Sequence, residues 1–294
     1  MRPRPRFTVP FAVAAATGAV LAATLAPHGA AASATPAKAA ADAIPTPSHV
    51  VVVMEENHSY SDIIGNTSQA PYFNSLASQG ALLTSSFAVT HPSEPNYMAL
   101  FSGSTYDLTA DSCPVNEGSD ANLGSELLAS GRTFKGYSEG LPKTGSTSCT
   151  SGSYARKHSP WINFSNVPAS DSVPFSSFPT DYSTLPTLSF VIPNLDDDMH
   201  DGTINQADTW LNKNLSAYAT WAKANNSLLI VTWDEDDYTE NNQIPTIIVG
   251  DHVKTGHYSE DVDHYDLLAT LEQLYGLEPV GQSADATPIT DIWD

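Results

Sequence analysis

The chain has 294 residues, with 33 acidic side chains against 12 basic ones and a formal charge of −21. That balance excludes a protein that holds a nucleic-acid backbone or an anionic membrane by net attraction. It suits a binder of cations, because surplus carboxylates are the ligands from which hard-metal sites are built.

In chain order, residues 1–34 come first. They combine MRPRPRF, an apolar run TVPFAVAAATGAVLAATLA, and Ala32-Ser33-Ala34. A basic start, an apolar stretch and an A-x-A end predict a secretory signal peptide and hence a secreted, extracellular protein. A membrane anchor is the weaker reading, since Thr, Gly and many Ala residues dilute the run. Residues 35–47, rich in Ala and Pro, read as a tether, and residues 48–294 as one domain. Removing residues 1–34 takes away Arg2, Arg4 and Arg6 and no acid, so the mature charge becomes −24. No second long apolar segment appears, so no stable membrane association is expected after cleavage. The two cysteines, Cys113 and Cys149, are an even count in an exported chain and predict a disulfide. Its loop closure would contribute about 3–4 kcal/mol.

Within the domain, HVVVVM (49–54) is a continuous β-branched run, as expected of a strand covered on both faces. Residues 71–79 have helical spacing and lead into a strand, ALLTSSFAV (81–89). PNYMALFSG (95–103) begins with Pro and ends with Gly, the asymmetry of a short helix. A further helix is predicted over 122–131, a strand over 187–193 and a long amphipathic helix over 207–224. Strands over 227–233 and 245–250 follow, with a glycine-stopped helix over 265–276. Such alternation predicts an α/β three-layer sandwich, a mixed and mainly parallel sheet between helices. The turn-rich stretch 107–184 reads as an insertion over one sheet edge.

Three of the predicted strands run directly into oxygen-rich clusters. The first is followed by Glu55-Glu56-Asn57, the second by Asn194 to Asp201, the third by Asp234-Glu235-Asp236-Asp237. Parallel sheets bind ligands at the carboxyl ends of their strands, so these clusters converge on one candidate hard-cation site. A lone acid after a strand is usually a polar turn; three together point to a site. Ser93 stands at the start of the helix in THPSEPNYMALFSG, where exposed amides and the helix dipole favour phosphate and an alkoxide. By itself it would be a helix cap. Beside the acid clusters it becomes a nucleophile.

EENHSYSDIIGN, THPSEPNYMALFSGS, YARKHSPW, PNLDDDMHDG, VTWDEDD and DHYDLLATLEQLYGL together resemble the bacterial and fungal phosphoesterase family. That family holds acid phosphatases and phospholipases C, within the alkaline phosphatase superfamily. The resemblance spans about residues 48–281. It implies an alkaline phosphatase-like fold and one divalent metal ion held by Glu56, Asn57, Ser93, Asp234 and Glu235. It also implies a phosphoseryl intermediate on Ser93. His200 is expected as the proton donor to the leaving group and His158 as a cationic clamp on the phosphate, or the two in exchanged roles. His91, Asn96 and Lys157 are expected around the substrate, and Asp198 and His264 at a possible second metal. The oxygen ligands suit Ca, Mg or Mn, while the nearby histidines leave Zn or Fe open.

The reading is therefore a secreted, metal-dependent acid phosphatase acting on small phosphomonoesters. Two alternatives stand beside it. A phospholipase C would share the chemistry, but the chain lacks a basic or apolar docking segment. A calcium-stabilised, non-catalytic binding module would share the acid-rich loops, although DDDMHDG does not fit the EF-hand frame. Oligomeric state and natural substrate leave no signal in the sequence.

Overall fold

A computed structural model of the chain describes residues 44–294. The expected signal peptide and most of the expected tether lie outside the described residues. The domain opens with strand β1 (His49–Glu55), helices α1 (Tyr60–Ile63) and α2 (Pro71–Ala77), and strand β2 (Ala81–Phe87). Helices α3 (Ser93–Ser102) and α4 (Leu123–Ala129) follow, then strand β3 (Phe134–Ser138) and the small ribbon β4 (Thr150–Ser151) and β5 (Tyr154–Ala155). Strands β6 (Ser172–Pro174) and β7 (Leu188–Ile192) precede the long helix α5 (Ile204–Ala222). Strands β8 (Ser227–Trp233), β9 (Gln243–Gly250) and β10 (Gly256–Tyr258) and helix α6 (His264–Tyr275) complete the domain.

Eight strands form one sheet in the order β10-β2-β9-β8-β1-β7-β3-β6. β1 lies between β8 and β7 and is parallel to both; β9 is antiparallel to its neighbours β8 and β2. The alternation of β1 explains the layers. Val50, Val52 and Met54 pack under α3 and α6, against Tyr97, Leu268 and Leu271. Val51 and Val53 face the other way, against Phe73 of α2 and Leu211 and Leu215 of α5. Each of these valines is fully buried, worth about 1.5–3 kcal/mol apiece, so the register of the central strand is strongly specified.

The mixed, mainly parallel α/β sandwich is thus present. The stretch 107–184 differs from expectation. Instead of lying over the sheet it supplies two of its strands, since β3 pairs with β7 and β6 pairs with β3, both parallel. Its Gly136 is needed there, because a Cβ would lie 2.0 Å from the Trp161 ring packed across the strand. A glycine and a lysine within five residues hide β3 from a hydrophobicity pattern. The disulfide between Cys113 and Cys149 is formed and closes a separation of 36 residues within this stretch.

Candidate active site

The three acid clusters follow β1, β7 and β8, which are neighbours in the sheet, so their ends open onto one edge. After Glu56 the backbone of Asn57 enters the left-handed region (φ 49°), which asparagine tolerates better than most residues. That turn lets the Asn57 N–H donate to Asp234 Oδ1 at 3.0 Å and ties the ends of β1 and β8 together.

Helix α3 approaches the same edge. Its first residue is Ser93, with Pro92 as the cap, so the serine is one position further into the helix than a capping residue would be. All ten of its residues are buried, and it stops at Gly103 (φ 69°), where a Cβ would meet Val280 O at 2.0 Å. Asn96 is buried and fixes the approach. Its Oδ1 accepts from Val89 N and Thr90 N at 3.1 Å each, and its Nδ2 donates to Thr90 O and Pro92 O. Asn96, expected around the substrate, has its amide engaged with the turn before Ser93.

Ser93 Oγ lies 3.1 Å from Glu56 Oε2, 3.3 Å from Glu235 Oε1 and 3.4 Å from Asn57 Oδ1. Four of the five expected metal-site residues therefore meet around the serine oxygen, and Asp234 joins them through the Asn57 backbone. Glu56 extends the group inward. Its Oε1 accepts a short hydrogen bond from Tyr97 OH and stands 3.2 Å from His158 Nε2. His158 is sandwiched on its face by Tyr97, ring centroids 4.9 Å apart and planes 9° from parallel, and its Nδ1 lies 3.5 Å from Asp198 Oδ2.

The donor atoms of Glu56, His158 and Asp198 all lie within 4.8 Å of one another, and all three residues are buried. A single cation with bonds of about 2.0–2.6 Å spans such a set. Three buried atoms here have no hydrogen-bond partner: Asp198 Oδ2, Asp234 Oδ2 and His158 Nε2. Such orphans are rare in folded proteins and fit the binding of a cation. Electrostatics agree. Burial first, then the charges of Asp234 and Asp198, raise the Glu56 carboxyl well above its usual value. Burial likewise lifts Asp198 well above the usual range and Asp234 to about 6, and burial with the Asp234 charge lifts Glu235 to about 8. Carboxylates gathered this closely without a positive partner are costly, and a divalent ion removes the cost.

His158, expected beside the phosphate, is buried against Glu56 and Asp198. Burial, then the charges of Lys157 and His200, push its imidazole well below 6.5. That direction suits a metal ligand, which binds through a neutral ring, better than a cationic clamp. His264 also differs. It is buried, its Nε2 meets the Asp234 carbonyl oxygen at 2.8 Å, and burial lowers its pKa to about 4. Asp198 is joined by His158 in its place. His91, expected around the substrate, has a carboxylate at each ring nitrogen, Glu235 Oε2 at 2.6 Å and Asp236 Oδ1 at 3.2 Å, and so braces Glu235.

The basic side chains at the rim are Lys157 and His200. Lys157 Nζ lies 2.6 Å from Asp111 Oδ2 and 3.4 Å from His200 Nε2. Burial works against its charge, but Asp111 and the carboxylates of Glu56 and Asp234 outweigh burial and raise its pKa. His200 Nδ1 is oriented by Asp201 Oδ1 at 2.8 Å. The sequence motifs do not single out Tyr97, Glu94 or Asp111. Tyr97 is one helical turn beyond Ser93, on the same face, which is a signal that the spacing carried. Glu94 and Asp111 meet only through tertiary contacts, Glu94 N donating to Asp111 Oδ1 at 3.0 Å.

A serine hydroxyl at a helix start, ringed by strand-end carboxylates at the edge of a mainly parallel sheet, is an arrangement suited to phosphoryl transfer. The sequence pattern described as the Phosphoesterase family matches residues 66–278, and the chain belongs to that family. The match takes in Ser93, His158, Asp198 and Asp234 and begins after Glu56. The chain is 62% identical over 252 residues to a protein of Mycobacterium tuberculosis named phosphatidylinositol-3-phosphatase, covering 85% of this chain and 84% of that one. It is 30% identical over 230 residues to an acid phosphatase of Aspergillus fumigatus, covering 70% of this chain and 51% of the fungal one. A solved structure from Vibrio parahaemolyticus, a protein in the alkaline phosphatase superfamily, superposes with a TM-score of 0.57. At 12% identity, over 83% of this chain and 71% of that one, it bears on the fold alone. The chain is accordingly a phosphoric ester hydrolase, and the non-catalytic calcium module is set aside.

Proposed function

We propose that the chain is an exported, divalent-metal-dependent acid phosphatase that cleaves small phosphomonoesters through a phosphoserine at Ser93. The observation that carries the reading is the Ser93 hydroxyl at the head of a buried helix, within 3.4 Å of Glu56, Asn57 and Glu235. The orphaned atoms of Asp198, Asp234 and His158 support metal dependence. Glu56, His158 and Asp198 would hold the ion with Asp234 beside them, and an imidazole among the ligands favours Mn, Fe or Zn over Ca or Mg. Bound there, the ion would neutralise phosphoryl charge and lower the pKa of the serine hydroxyl.

The chain's own residues supply the remainder. Ser93 Oγ gives its proton to the carboxylate that accepts its hydrogen bond and forms the bond to phosphorus as the bond to the leaving oxygen breaks, giving the phosphoseryl enzyme and the alcohol. Glu56 Oε2 receives the hydroxyl hydrogen bond in the resting state and Glu235 Oε1 the alternative one, so the lone pair of Oγ is aimed outward. Lys157 faces the phosphoryl oxygens as the fixed cation. His200, oriented by Asp201, supplies the proton to the leaving oxygen. Water then cleaves the phosphoserine and releases phosphate. The two relatives are named as phosphatases, which supports a monoester over a diester substrate. The basic and apolar leader supports export.

The test is hydrolysis of p-nitrophenyl phosphate beside p-nitrophenyl phosphorylcholine from acidic to neutral pH, before and after chelation. Turnover of the monoester that a chelator abolishes and added Mn, Fe or Zn restores is the expected result. Preference for the diester would make the enzyme a phospholipase C-type phosphodiesterase. Activity indifferent to exhaustive chelation would overturn the metal assignment.

A further inference from the structure

Beside the Ser93 centre is a second concavity of about 290 Å³ whose walls differ in character from everything else at the site. The Cys113–Cys149 disulfide, Ala155 and Leu195 form them, with Thr150 at the rim. Cys113, Cys149 and Thr150 are exposed and Leu195 is half-buried, so apolar atoms and uncharged sulfur face solvent here on a protein of strongly acidic surface. Lys157 and His200, the basic side chains assigned to the phosphate above, also line it, with Asp111 holding Lys157 in place. The cavity and the phosphate site therefore share a wall. Any phosphoryl group held by Lys157 and His200 directs a substituent along it.

The neighbouring concavity on the other flank offers a contrast. It is lined by Asp236, Asn241, Asn242 and His91, with the exposed Tyr238 stacked on His91 at 3.9 Å. Asp236 and a histidine already paired with carboxylates make that side unfavourable for an anion and polar for a leaving group.

Resting on the phosphatase reading above, we infer that the disulfide-walled cavity is the leaving-group subsite and that it takes an uncharged aromatic group. The volume suits a single ring system and not a large polar headgroup. The disulfide, Ala155 and Leu195 offer apolar contact and no side-chain hydrogen-bond donors, so a hydroxyl-rich group set against them would lose water without replacement. The two-residue strands β4 and β5, with Thr150 paired to Ala155, hold one wall, and the disulfide joins that ribbon to the segment carrying Asp111. Covalent closure keeps the subsite formed before substrate arrives.

The test separates the pocket from the chemistry by using ligands that are not turned over. Binding of phenylphosphonate and of methylphosphonate to the purified protein is measured by calorimetry, for the wild type, Leu195→Asn and Thr150→Asp. Both substitutions sit at half-buried or exposed positions, so two independent folded variants are available. The phenyl compound should bind the wild type about tenfold tighter or more, and the ratio should fall to within about twofold in both variants. Equal affinities in the wild type, or an undiminished ratio in both variants, would overturn the subsite. Phenyl phosphate turnover by the wild type, run alongside, distinguishes the two readings. Phenyl preference without phosphate release upholds the pocket and removes the phosphatase reading. Turnover without preference does the reverse.

Discussion

Replacing Tyr97 by Phe removes one oxygen from the centre of the site and leaves the aromatic ring. That oxygen is fully buried and donates to Glu56 Oε1, while the ring lies flat on His158. Without it, Glu56 Oε1 retains only the His158 Nε2 contact at 3.2 Å, which lacks hydrogen-bond geometry. A buried hydrogen bond to a charged group is worth about 1.5–3 kcal/mol. If that energy holds Glu56 where Ser93 needs it, kcat/KM for p-nitrophenyl phosphate should fall roughly ten- to a hundredfold. The melting temperature should fall by about 5 °C, since 1 kcal/mol shifts a domain of this size by a few degrees. Steady-state kinetics and thermal melting on the same preparation give both numbers. A destabilised Tyr97→Phe with kcat/KM within twofold of wild type would refute the reasoning, because Glu56 would then need no fixed position.

Three further outcomes follow from the same contacts. Replacing both Cys113 and Cys149 by Ser opens a loop of 36-residue separation and should cost about 4 kcal/mol of stability in urea unfolding; less than about 1 kcal/mol would contradict the loop-closure argument. Glu272 is buried in α6 and accepts from Val280 N and Ser283 Oγ, yet burial raises its pKa to about 7. The folded state thus holds a proton that the unfolded chain releases near pH 4.5, so this stabilisation is complete below about pH 4.5 and lost as pH rises through 7. Between pH 5 and 8 the wild type should lose about 2–3 kcal/mol more than Glu272→Gln, and parallel pH profiles would contradict this. Asp208 of α5 caps α2 by accepting from Tyr72 N and Phe73 N at 2.7 and 2.9 Å, so Asp208→Ala should cost about 1–2 kcal/mol with kcat unchanged.

Most of the fold is legible in the sequence because its central strands are buried on both faces. Val50 to Met54 and Leu228 to Val231 must be apolar at every position, and such runs are hard to mistake. β3 escapes notice for the opposite reason: at the edge of the core its Lys135 reaches towards Asp171, and Gly136 makes room for Trp161. The carboxylates around Ser93 are legible because they follow strands in sequence. What each histidine does is not. His158, His264 and His91 look alike as letters, and their protonation and partners depend on burial that only the assembled site determines. Asp198 and His158 are 40 positions apart and meet only because β7 and the turn at Arg156–His158 converge on Glu56.

The central claim is that Ser93 carries the phosphoryl group. The most direct measurement is an acid quench during turnover of p-nitrophenyl phosphate at the acidic pH of best activity, followed by mass spectrometry of the peptide containing residues 91–97. The account predicts one phosphoryl group on Ser93 in the wild type, with no turnover in a folded Ser93→Ala. Phosphate found on a histidine or another serine, or undiminished turnover by Ser93→Ala, would contradict it.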